Sequence, residues 1–309
     1  MNFKEIVSVF VICCSVCSTQ AQLITDGLVA YYPFTGNTQD ESGNGWNGVN
    51  TFGIVPITDR LGTANSAYDF TTSDAYVDLG NILNGVFAGQ GKQFSIAAWI
   101  KPHQAMNDGH LLAKVADTNC EVNQRMFFLK VFGEQSQLAF TYYSATSSGN
   151  ARRVMSTTSI TDTDKWYHVV ATYDGTLNSN DGQDRVKLYI NCIEETTFLE
   201  TSTGPLGNIQ TSSAHLGIGT YLDANGNSCF PPHNFKGLID DLYLFNRVLS
   251  PQEVALLGQE LAEVNLGPDL VLCEGEQATL VPNLEQAIEG LPVQWSDGSM
   301  GSELTVTEP

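Results

Sequence analysis

Apolar and polar residues alternate in short segments along most of this 309-residue chain. Turn-forming sequences, such as GEQS at 133–136 and SSGN at 147–150, separate the alternating segments. A repeated period of two predicts an all-β protein, an antiparallel β-sandwich in which each sheet buries one face. The apolar positions of five segments are Ile96, Ala98 and Ile100; Phe127, Leu129 and Val131; Leu138, Phe140 and Tyr142; Val169 and Ala171; and Val186, Leu188 and Ile190.

One helix is predicted near residue 250. The sequence SPQE at 250–253 is a capping box with proline at the first helical position, and the predicted helix runs from Pro251 to about Leu261. We expect it to close a first domain at 22–262. A separate strand pattern at 269–273, 278–281, 293–295 and 303–307 predicts a partial second sandwich at 263–309. Because this part is too small for a complete core, we expect further domains in the parent chain.

The first residues have the pattern of a secretory signal peptide. Lys4 precedes an apolar run at 6–16, and residues 19–21 supply a small residue, Ala21, at the expected cleavage site. Residues 1–21 would therefore be removed, and the mature protein would be secreted or held at the cell surface. The run is too short to remain as a membrane anchor, and we expect no membrane insertion elsewhere.

The chain is strongly acidic. It contains 34 acidic and 14 basic residues, a formal net charge of −20. This charge repels nucleic acid and anionic lipid, so the sequence predicts neither as a partner. It is compatible with binding of divalent cations.

Seven segments, taken in order, carry a family resemblance: GLVAYYPF at 27–34, DESGNG at 40–45, FSIAAWI at 94–100, KWYHVVATYDG at 165–175, VKLYIN at 186–191, FKGLIDDL at 235–242 and NRVLS at 246–250. They resemble laminin G-like domains of the concanavalin A type. The resemblance covers about residues 23–261 and implies a jelly-roll β-sandwich with a short C-terminal helix. The tail, with LGPD at 266–269, LCEGE at 272–276 and WSDGS at 295–299, resembles immunoglobulin-like repeats of bacterial surface adhesins exported by type IX secretion.

A structural calcium site is predicted between the first loop and the closing strand. Asp40, Ser42 and Asn44 alternate in a glycine-rich bend, so that their oxygens can converge on one Ca²⁺. The resemblance implies that the opening and closing strands are neighbours, and therefore that Asp240 or Asp241 completes the site. By alternation, Asp240 shares a buried face with Leu238, Leu242 and Leu244. The alternative is an Asx-turn at Asp40 and a backbone-bonded Asp240. A second acidic loop, DANGN at 223–227, is better explained as an ordinary turn.

Four cysteines follow the signal peptide, and none lies in a Cys-x-x-Cys motif. In an oxidising compartment we expect a disulfide. The resemblance implies a glycine at the hairpin position of Cys192, which favours a Cys120–Cys229 pair, although either pair with Cys192 stays open. In the tail family, Cys273 pairs with a cysteine further along the chain.

The sequence carries no catalytic signature. Glycosidases of this fold place a Glu-x-Asp-x-x-Glu cluster on one strand, and this chain has none. Neither a Gly-x-Ser-x-Gly elbow nor a phosphate-binding loop is present. The five histidines are scattered, without metal-binding spacing. We therefore expect a protein that is not an enzyme.

The leading hypothesis is a binding module for a glycan or another extracellular ligand, carried by a modular adhesin-like protein. Tyr143, Arg152 and Tyr221 are the candidate ligand-binding residues, because exposed aromatic and hydrogen-bonding side chains bind sugars. Tyr142, Arg153 and Phe230 are further candidates, and ordinary packing is the alternative for each. Two other functions stay open: a non-catalytic ancillary domain of a secreted polysaccharide-degrading enzyme, and a structural spacer.

Overall fold

Two antiparallel sheets contain most of the described chain. The computed structural model describes residues 24–105, 108–115, 120, 125–144, 150–229, 233–258, 277–280 and 304–307. Ile24–Gly258 forms one compact unit, whereas the last two ranges belong to a second unit. The predicted signal peptide at 1–21 and most of the predicted tail domain at 263–309 lie outside the described residues.

In its described ranges, the first unit contains sixteen strands and three short helical segments. The strands are β1 (Leu28–Tyr32), β2 (Asn50–Phe52), β3 (Val55–Ile57), β4 (Ala67–Asp69), β5 (Tyr76–Asp78), β6 (Gln93–Pro102), β7 (Asp108–Lys114), β8 (Phe127–Phe132), β9 (Gln137–Tyr143), β10 (Ala151–Ser159), β11 (Tyr167–Asp174), β12 (Val186–Ile190), β13 (Ile193–Glu194), β14 (Thr197–Ser202), β15 (Gly217–Ile218) and β16 (Gly237–Phe245). The helical segments are α1 (Asn84–Phe87), an irregular 3₁₀ segment (Asn180–Arg185) and α2 (Pro251–Leu257).

The strands form a sandwich of two eight-stranded sheets. In the first sheet the order is β13-β12-β11-β6-β16-β4-β3, with β1 also paired to β16. In the second sheet the order is β14-β10-β9-β8-β7-β15-β5-β2. Every strand pair within the two sheets is antiparallel. The predicted all-β jelly-roll sandwich is confirmed.

The alternating residues of the sequence line the core between the sheets. Ile96 and Ile100 of β6 and Leu129 of β8 are fully buried in one cluster. Burying a side chain of this size contributes about 1.5–3 kcal/mol to the stability of the fold. Most central strands likewise direct alternate apolar side chains into the core. Most residues of β6, β8 and β11 are also buried on the side that points away from the core. In β9 this burial is complete, because all seven of its residues are buried. Its outward side is therefore covered by other groups of the protein.

Helix α2 has the predicted capping box. The Ser250 hydroxyl accepts a hydrogen bond from the Glu253 backbone N–H, and the Glu253 carboxylate accepts one from the Ser250 N–H at 2.8 Å. The helix ends at Leu257 and is followed by Gly258. The rest of the predicted extension to Leu261 lies outside the described residues. No helix in the described part of the chain is both long and apolar enough to span a bilayer.

The first and last strands of the first unit are neighbours in the first sheet. β1 pairs with β16 so that Leu28 lies opposite Phe245. Just beyond these residues, Arg247 Nε donates to the Asp26 carbonyl at 2.9 Å, and its guanidinium pairs with Glu253 of α2.

In the second unit, β17 (Gln277–Leu280) pairs antiparallel with β18 (Leu304–Thr307). These strands overlap two of the four predicted for the tail. The immunoglobulin-like assignment stays a prediction.

Candidate ligand-binding site on the outer face of the second sheet

Backbone donors surround the carboxylate of Asp40, the first residue of the predicted calcium site. Its Oδ1 accepts the N–H groups of Tyr31 at 3.0 Å and Ser42 at 2.9 Å, and its Oδ2 accepts that of Trp46 at 2.9 Å. Burial would raise the pKa of Asp40, but these donors outweigh burial and lower it. Ser42 and Asn44 donate their side-chain protons to carbonyls of β1. The contacts are those of the Asx-turn alternative.

Arg60 provides the positive charge beside Asp240 and Asp241. Its Nη1 lies 2.5 Å from Asp240 and 2.7 Å from Asp241, and Tyr31 donates its hydroxyl proton to Asp241 at 2.6 Å. The guanidinium also lies 4.8 Å from the ring centroid of Trp99. Calcium shared by Asp40 and Asp240 stays a prediction. Without it, Asp40 already accepts backbone hydrogen bonds and Asp240 already lies beside the positive charge of Arg60.

The predicted orientation of Asp240 is wrong. Ile239, Leu242 and Leu244 belong to the core cluster, so Asp240 points away from the core. The cause is a register shift in β16 between Asp240 and Tyr243, where Asp241 has φ 45°. A bulge adds one residue and reverses the alternation that the sequence pattern assumes. Asp240 is nevertheless buried, on the outer face of the first sheet.

The remaining metal candidates are also engaged within the protein. In the loop at 223–227, Asp223 Oδ1 accepts the backbone N–H groups of Asn225 and Asn227, as expected for a turn. Across the described ranges, no group of three or more His, Cys, Asp or Glu side chains is arranged to hold a metal ion.

Arg152 is a structural residue, and its assignment as a ligand-binding residue is wrong. The side chain is 2 % exposed, and all five of its N–H groups donate within the protein. The acceptors are the Asp181 carbonyl and carboxylate and the carbonyls of Ala151, Thr203 and Gly204. Arg152 therefore fastens β10 to the segment that precedes β12 and to the end of β14, and no donor remains for a ligand.

Tyr143 and Tyr221 lie together on the outer face of the second sheet, but both are nearly buried. They are 3 % and 8 % exposed and belong to one apolar cluster with Phe128. Because so little of either ring is exposed, a ligand cannot stack on a full ring face. The two tyrosines instead form part of the floor of a larger surface. We call this surface the charged aromatic face; it comprises Asp108, His110, Arg125, Phe128, Lys130, Phe132, Tyr143, Arg153, Tyr221 and His233.

Asp108 is the centre of the charged aromatic face. Its Oδ1 lies 2.5 Å from Lys130 Nζ and its Oδ2 lies 2.8 Å from His233 Nδ1. The ammonium of Lys130 lies 3.9 Å from the ring centroid of Phe132 and 4.6 Å from that of Phe128. His110 packs edge-on against Phe128 and Tyr221 and donates from Nδ1 to the His233 carbonyl at 2.9 Å. Asp108 and His233 remain 28 % and 33 % exposed, so a ligand can reach both.

The protonation states follow from burial. Burial lowers the pKa of His110 to about 3 and that of Lys130 to about 8. Burial would raise the pKa of Asp108, but the neighbouring His110 and Lys130 outweigh it and lower this pKa. At neutral pH the face thus presents an ionised carboxylate above a mostly charged lysine.

Arg153 lies at the edge of the charged aromatic face. Its Nε donates to Thr141 Oγ1 at 3.1 Å, and its Nη1 donates to Glu200 at 3.0 Å. The guanidinium carbon lies 4.2 Å from the ring centroid of Phe132. These contacts fix the plane of the guanidinium group, which is a condition for directional recognition of a ligand.

A disulfide fastens the hairpin that carries Tyr221. Cys120 and Cys229 are bonded, with 5.2 Å between their Cα atoms, and the Cys229 N–H donates to the Tyr221 carbonyl at 3.2 Å. This is the pair that the family resemblance favours. Cys192 is a free thiol. Its Sγ lies 3.8 Å from His168 Nδ1, and burial raises its pKa to about 11.

A depression of about 320 Å³ lies elsewhere, beside the start of β6. It is lined by Gly85, Val86, Gly91, Lys92, Gln93 and Asn246, none of which belongs to the charged aromatic face.

Asp108 and His233 were not predicted as site residues. They are separated by 125 positions in the chain, and neither lies in a motif. The sequence contained only an indirect sign of this site. His110 and Lys130 are polar, although the strands that carry them otherwise have the pattern of buried strands. Phe230, another candidate, lies outside the described residues.

The chain belongs to the concanavalin A-like lectin/glucanases superfamily, because the laminin G-type family model of that description matches residues 71–255. No curated protein shows a significant sequence match to it.

Solved structures share the fold at low sequence identity. Domain 4 of an extracellular arabinanase from Geobacillus stearothermophilus, solved with arabinotriose, is 20% identical, with a TM-score of 0.52, over 75% of this chain and 98% of that domain. Botulinum neurotoxin type C, which enters cells through interaction with two ganglioside molecules, is 18% identical, with a TM-score of 0.53, over 79% of this chain and 53% of that one. The serotype G binding domain is 15% identical, with a TM-score of 0.51, over 75% of this chain and 50% of that one. The chain thus spans about half of these toxin structures.

Proposed function

We propose that this protein is a non-catalytic binding module for extracellular glycans and that the charged aromatic face is its binding surface. The observation that carries the proposal is the combination, on one external sheet face, of an aromatic floor with partly exposed charged groups in fixed positions. Sugar hydroxyl groups hydrogen-bond to carboxylate, imidazole and guanidinium groups, and their C–H faces pack on apolar surface. Asp108 supplies a charged acceptor, and His233 and Arg153 supply donors.

The setting of the protein supports the proposal. The predicted signal peptide and the Cys120–Cys229 disulfide are both typical of proteins outside the reducing cytoplasm. The fold is compatible with a saccharide ligand, since the arabinanase domain was solved with arabinotriose. An adhesin-like parent protein is part of this proposal. The structural match covers 98% of the arabinanase domain, and this favours a second candidate function, an ancillary domain of a polysaccharide-degrading enzyme.

A glycan-array screen of the purified protein, followed by calorimetry on the best ligand, tests the proposal. We expect Asp108→Asn to weaken binding about tenfold or more, because a hydrogen bond to a charged group contributes about 1.5–3 kcal/mol. Asp162→Asn is the matched control: Asp162 forms an exposed surface pair with Lys165, and the variant should bind like the wild type. Absence of glycan binding by the wild type, or unchanged affinity in Asp108→Asn, would contradict the proposal.

A further inference from the structure

The segment at 42–58 exposes apolar side chains and contains no charged residue. It includes β2 and β3, which are edge strands of the second and the first sheet. Phe52 on β2 is 55 % exposed, and Val55 on β3 is also exposed. In a chain whose formal net charge is −20, an uncharged apolar surface of this kind is a candidate for binding a neutral ligand.

Phe52 and Tyr76 form a stacked aromatic pair on the outer face of the second sheet. The two residues lie directly opposite each other on β2 and β5, with ring centroids 6.0 Å apart and ring planes 20° apart. Thr51 and Val77 form the adjacent pair, and Val77 belongs to the core cluster. Because side chains alternate between the two faces of a sheet, Phe52 and Tyr76 point away from the core.

One face of the Phe52 ring is left uncovered. In the described part of the chain, β2 is the last strand of the second sheet, and no further strand pairs with it on the side away from β5. Tyr76 packs on the near side of the Phe52 ring and limits its rotation. A ring that is held in place and exposed on one face is a surface on which the C–H face of a sugar packs.

Two polar groups beside this pair are available to the hydroxyl groups of a sugar. Asn50 lies two residues before Phe52, on the same side of β2, and its side-chain oxygen accepts the N–H of Thr51 at 2.9 Å. Within the described ranges, neither the Asn50 amide NH₂ nor the Tyr76 hydroxyl has a hydrogen-bond partner. Both groups can therefore donate to a ligand without giving up a contact inside the protein.

The charges beside the pair do not favour an acidic sugar. The segment at 42–58 has no lysine or arginine. Burial, followed by the negative charges of Asp78 and Asp74, raises the pKa of Tyr76. Asp78 is itself paired with His215 at 2.9 Å. A carboxylate or sulfate on a ligand therefore gains little here, whereas an uncharged sugar is not repelled.

We propose that Phe52, Tyr76 and Asn50 form a second binding site, for a neutral saccharide whose C–H face packs on the Phe52 ring. The site is separate from the charged aromatic face, because that face is centred on β7 and β8, whereas Phe52 lies at the edge of the same sheet. The family model begins at residue 71, so its match does not include Phe52 or Asn50. The second site adds to the proposed function and does not depend on the first.

Affinity electrophoresis of the purified protein, in gels that contain a soluble polysaccharide, tests the second site. The neutral probes are laminarin, xyloglucan, galactomannan and arabinan, and polygalacturonate is the acidic comparison. We expect at least one neutral polysaccharide to retard the wild type, and Phe52→Ala to weaken this binding about tenfold because the flat ring is lost. Tyr76→Phe retains the ring and removes the hydroxyl, so it should weaken binding about threefold.

Matched variants separate stacking on a sugar from general apolar adhesion. Phe52→Trp keeps a flat ring and should retain binding, whereas Phe52→Leu keeps an apolar side chain without the ring and should lose it. Ile193→Ala removes an exposed apolar side chain from the edge strand β13 of the first sheet and should bind like the wild type. Because Phe52 is more than half exposed, its variants should melt close to the wild-type temperature.

Each outcome decides for or against the second site. Wild-type binding by Phe52→Ala or Phe52→Leu contradicts it, and so does binding of polygalacturonate that depends on Phe52. A wild-type dimer that Phe52→Ala converts to a monomer in sedimentation, with no effect on saccharide binding, would assign this surface to a second copy of the chain. If Asp108→Asn lowers affinity and Phe52→Ala does not, the proposed function stands and the second site is wrong. If only Phe52→Ala lowers affinity, the second site stands and the charged aromatic face is not the binding surface.

Discussion

Buried charges impose the strongest residue-level constraints on this protein. Asp240 and Asp241 share one cation, Arg60, inside the protein. One guanidinium neutralises one carboxylate, so the second is more stable with a proton. Burial, together with the charge of Asp241, accordingly raises the pKa of Asp240 to about 8.

This raised pKa makes the stability of the protein depend on pH. The folded protein retains the Asp240 proton up to about pH 8, whereas the unfolded chain releases it near 3.8. Unfolding between these pH values releases a proton, so the contribution of Asp240 to the free energy of unfolding falls as the pH rises. We expect urea denaturation at pH 5 and pH 8 to show a smaller decline in Asp240→Asn than in the wild type. Equal declines would show that Asp240 is ionised in the folded protein.

At the scale of elements, Arg60 connects the loop between β3 and β4 to the closing strand β16. Both β3 and β2 are three-residue edge strands with exposed residues. The contacts of Arg60 with Asp240 and Asp241 add a side-chain attachment to the pairing of β3 with β4 and of β4 with β16.

Removing this attachment also tests the predicted calcium site. Arg60→Gln leaves the carboxylate of Asp241, beside the buried carboxyl of Asp240, without its cation, and we expect it to lower the free energy of unfolding by about 3 kcal/mol. Because the cation lost is a side chain, the decrease should be the same in calcium and in chelator. Adding Asp240→Asn should restore part of the stability. A wild-type melting temperature that falls in chelator would support the calcium ion predicted at Asp40.

Alternation along the chain predicts the central strands but not the site. The period of two identifies β6, β8, β9, β11 and β12, because each buries one side in a shared core. It fails at β16, where one extra residue at the bulge turns Asp240 to the other face. It also cannot show that Arg152 is buried, since burial there depends on carbonyls of Thr203 and Gly204, about fifty residues away. Long-range polar contacts of this kind leave no periodic signal.

At the scale of the whole molecule, the disulfide constrains a large part of the chain. Cys120 and Cys229 lie 109 positions apart, and the segment between them includes five of the eight strands of the second sheet. A cross-link that closes so long a loop restricts the unfolded chain strongly.

We expect the double variant Cys120→Ser/Cys229→Ser to lose about 4 kcal/mol of unfolding free energy in denaturant titration. Glycan affinity should fall as well, because the Tyr221 hairpin loses its covalent attachment. Cys192→Ser leaves the disulfide intact and should retain wild-type affinity. A double variant with wild-type stability would mean that the loop is held by packing alone.

The adjacent ends of the unit determine how it responds to mechanical force. Because the start of β1 lies beside the end of β16, a force applied between the two ends of the unit pulls these two strands apart sideways. Their hydrogen bonds would then break one after another, and not all together as in shear. Before that, the Arg247 contacts with Asp26 and Glu253 must break. A unit with this geometry is expected to lose β1 first, because β1 pairs only with β16, and to do so at a lower force than a unit whose ends lie at opposite poles.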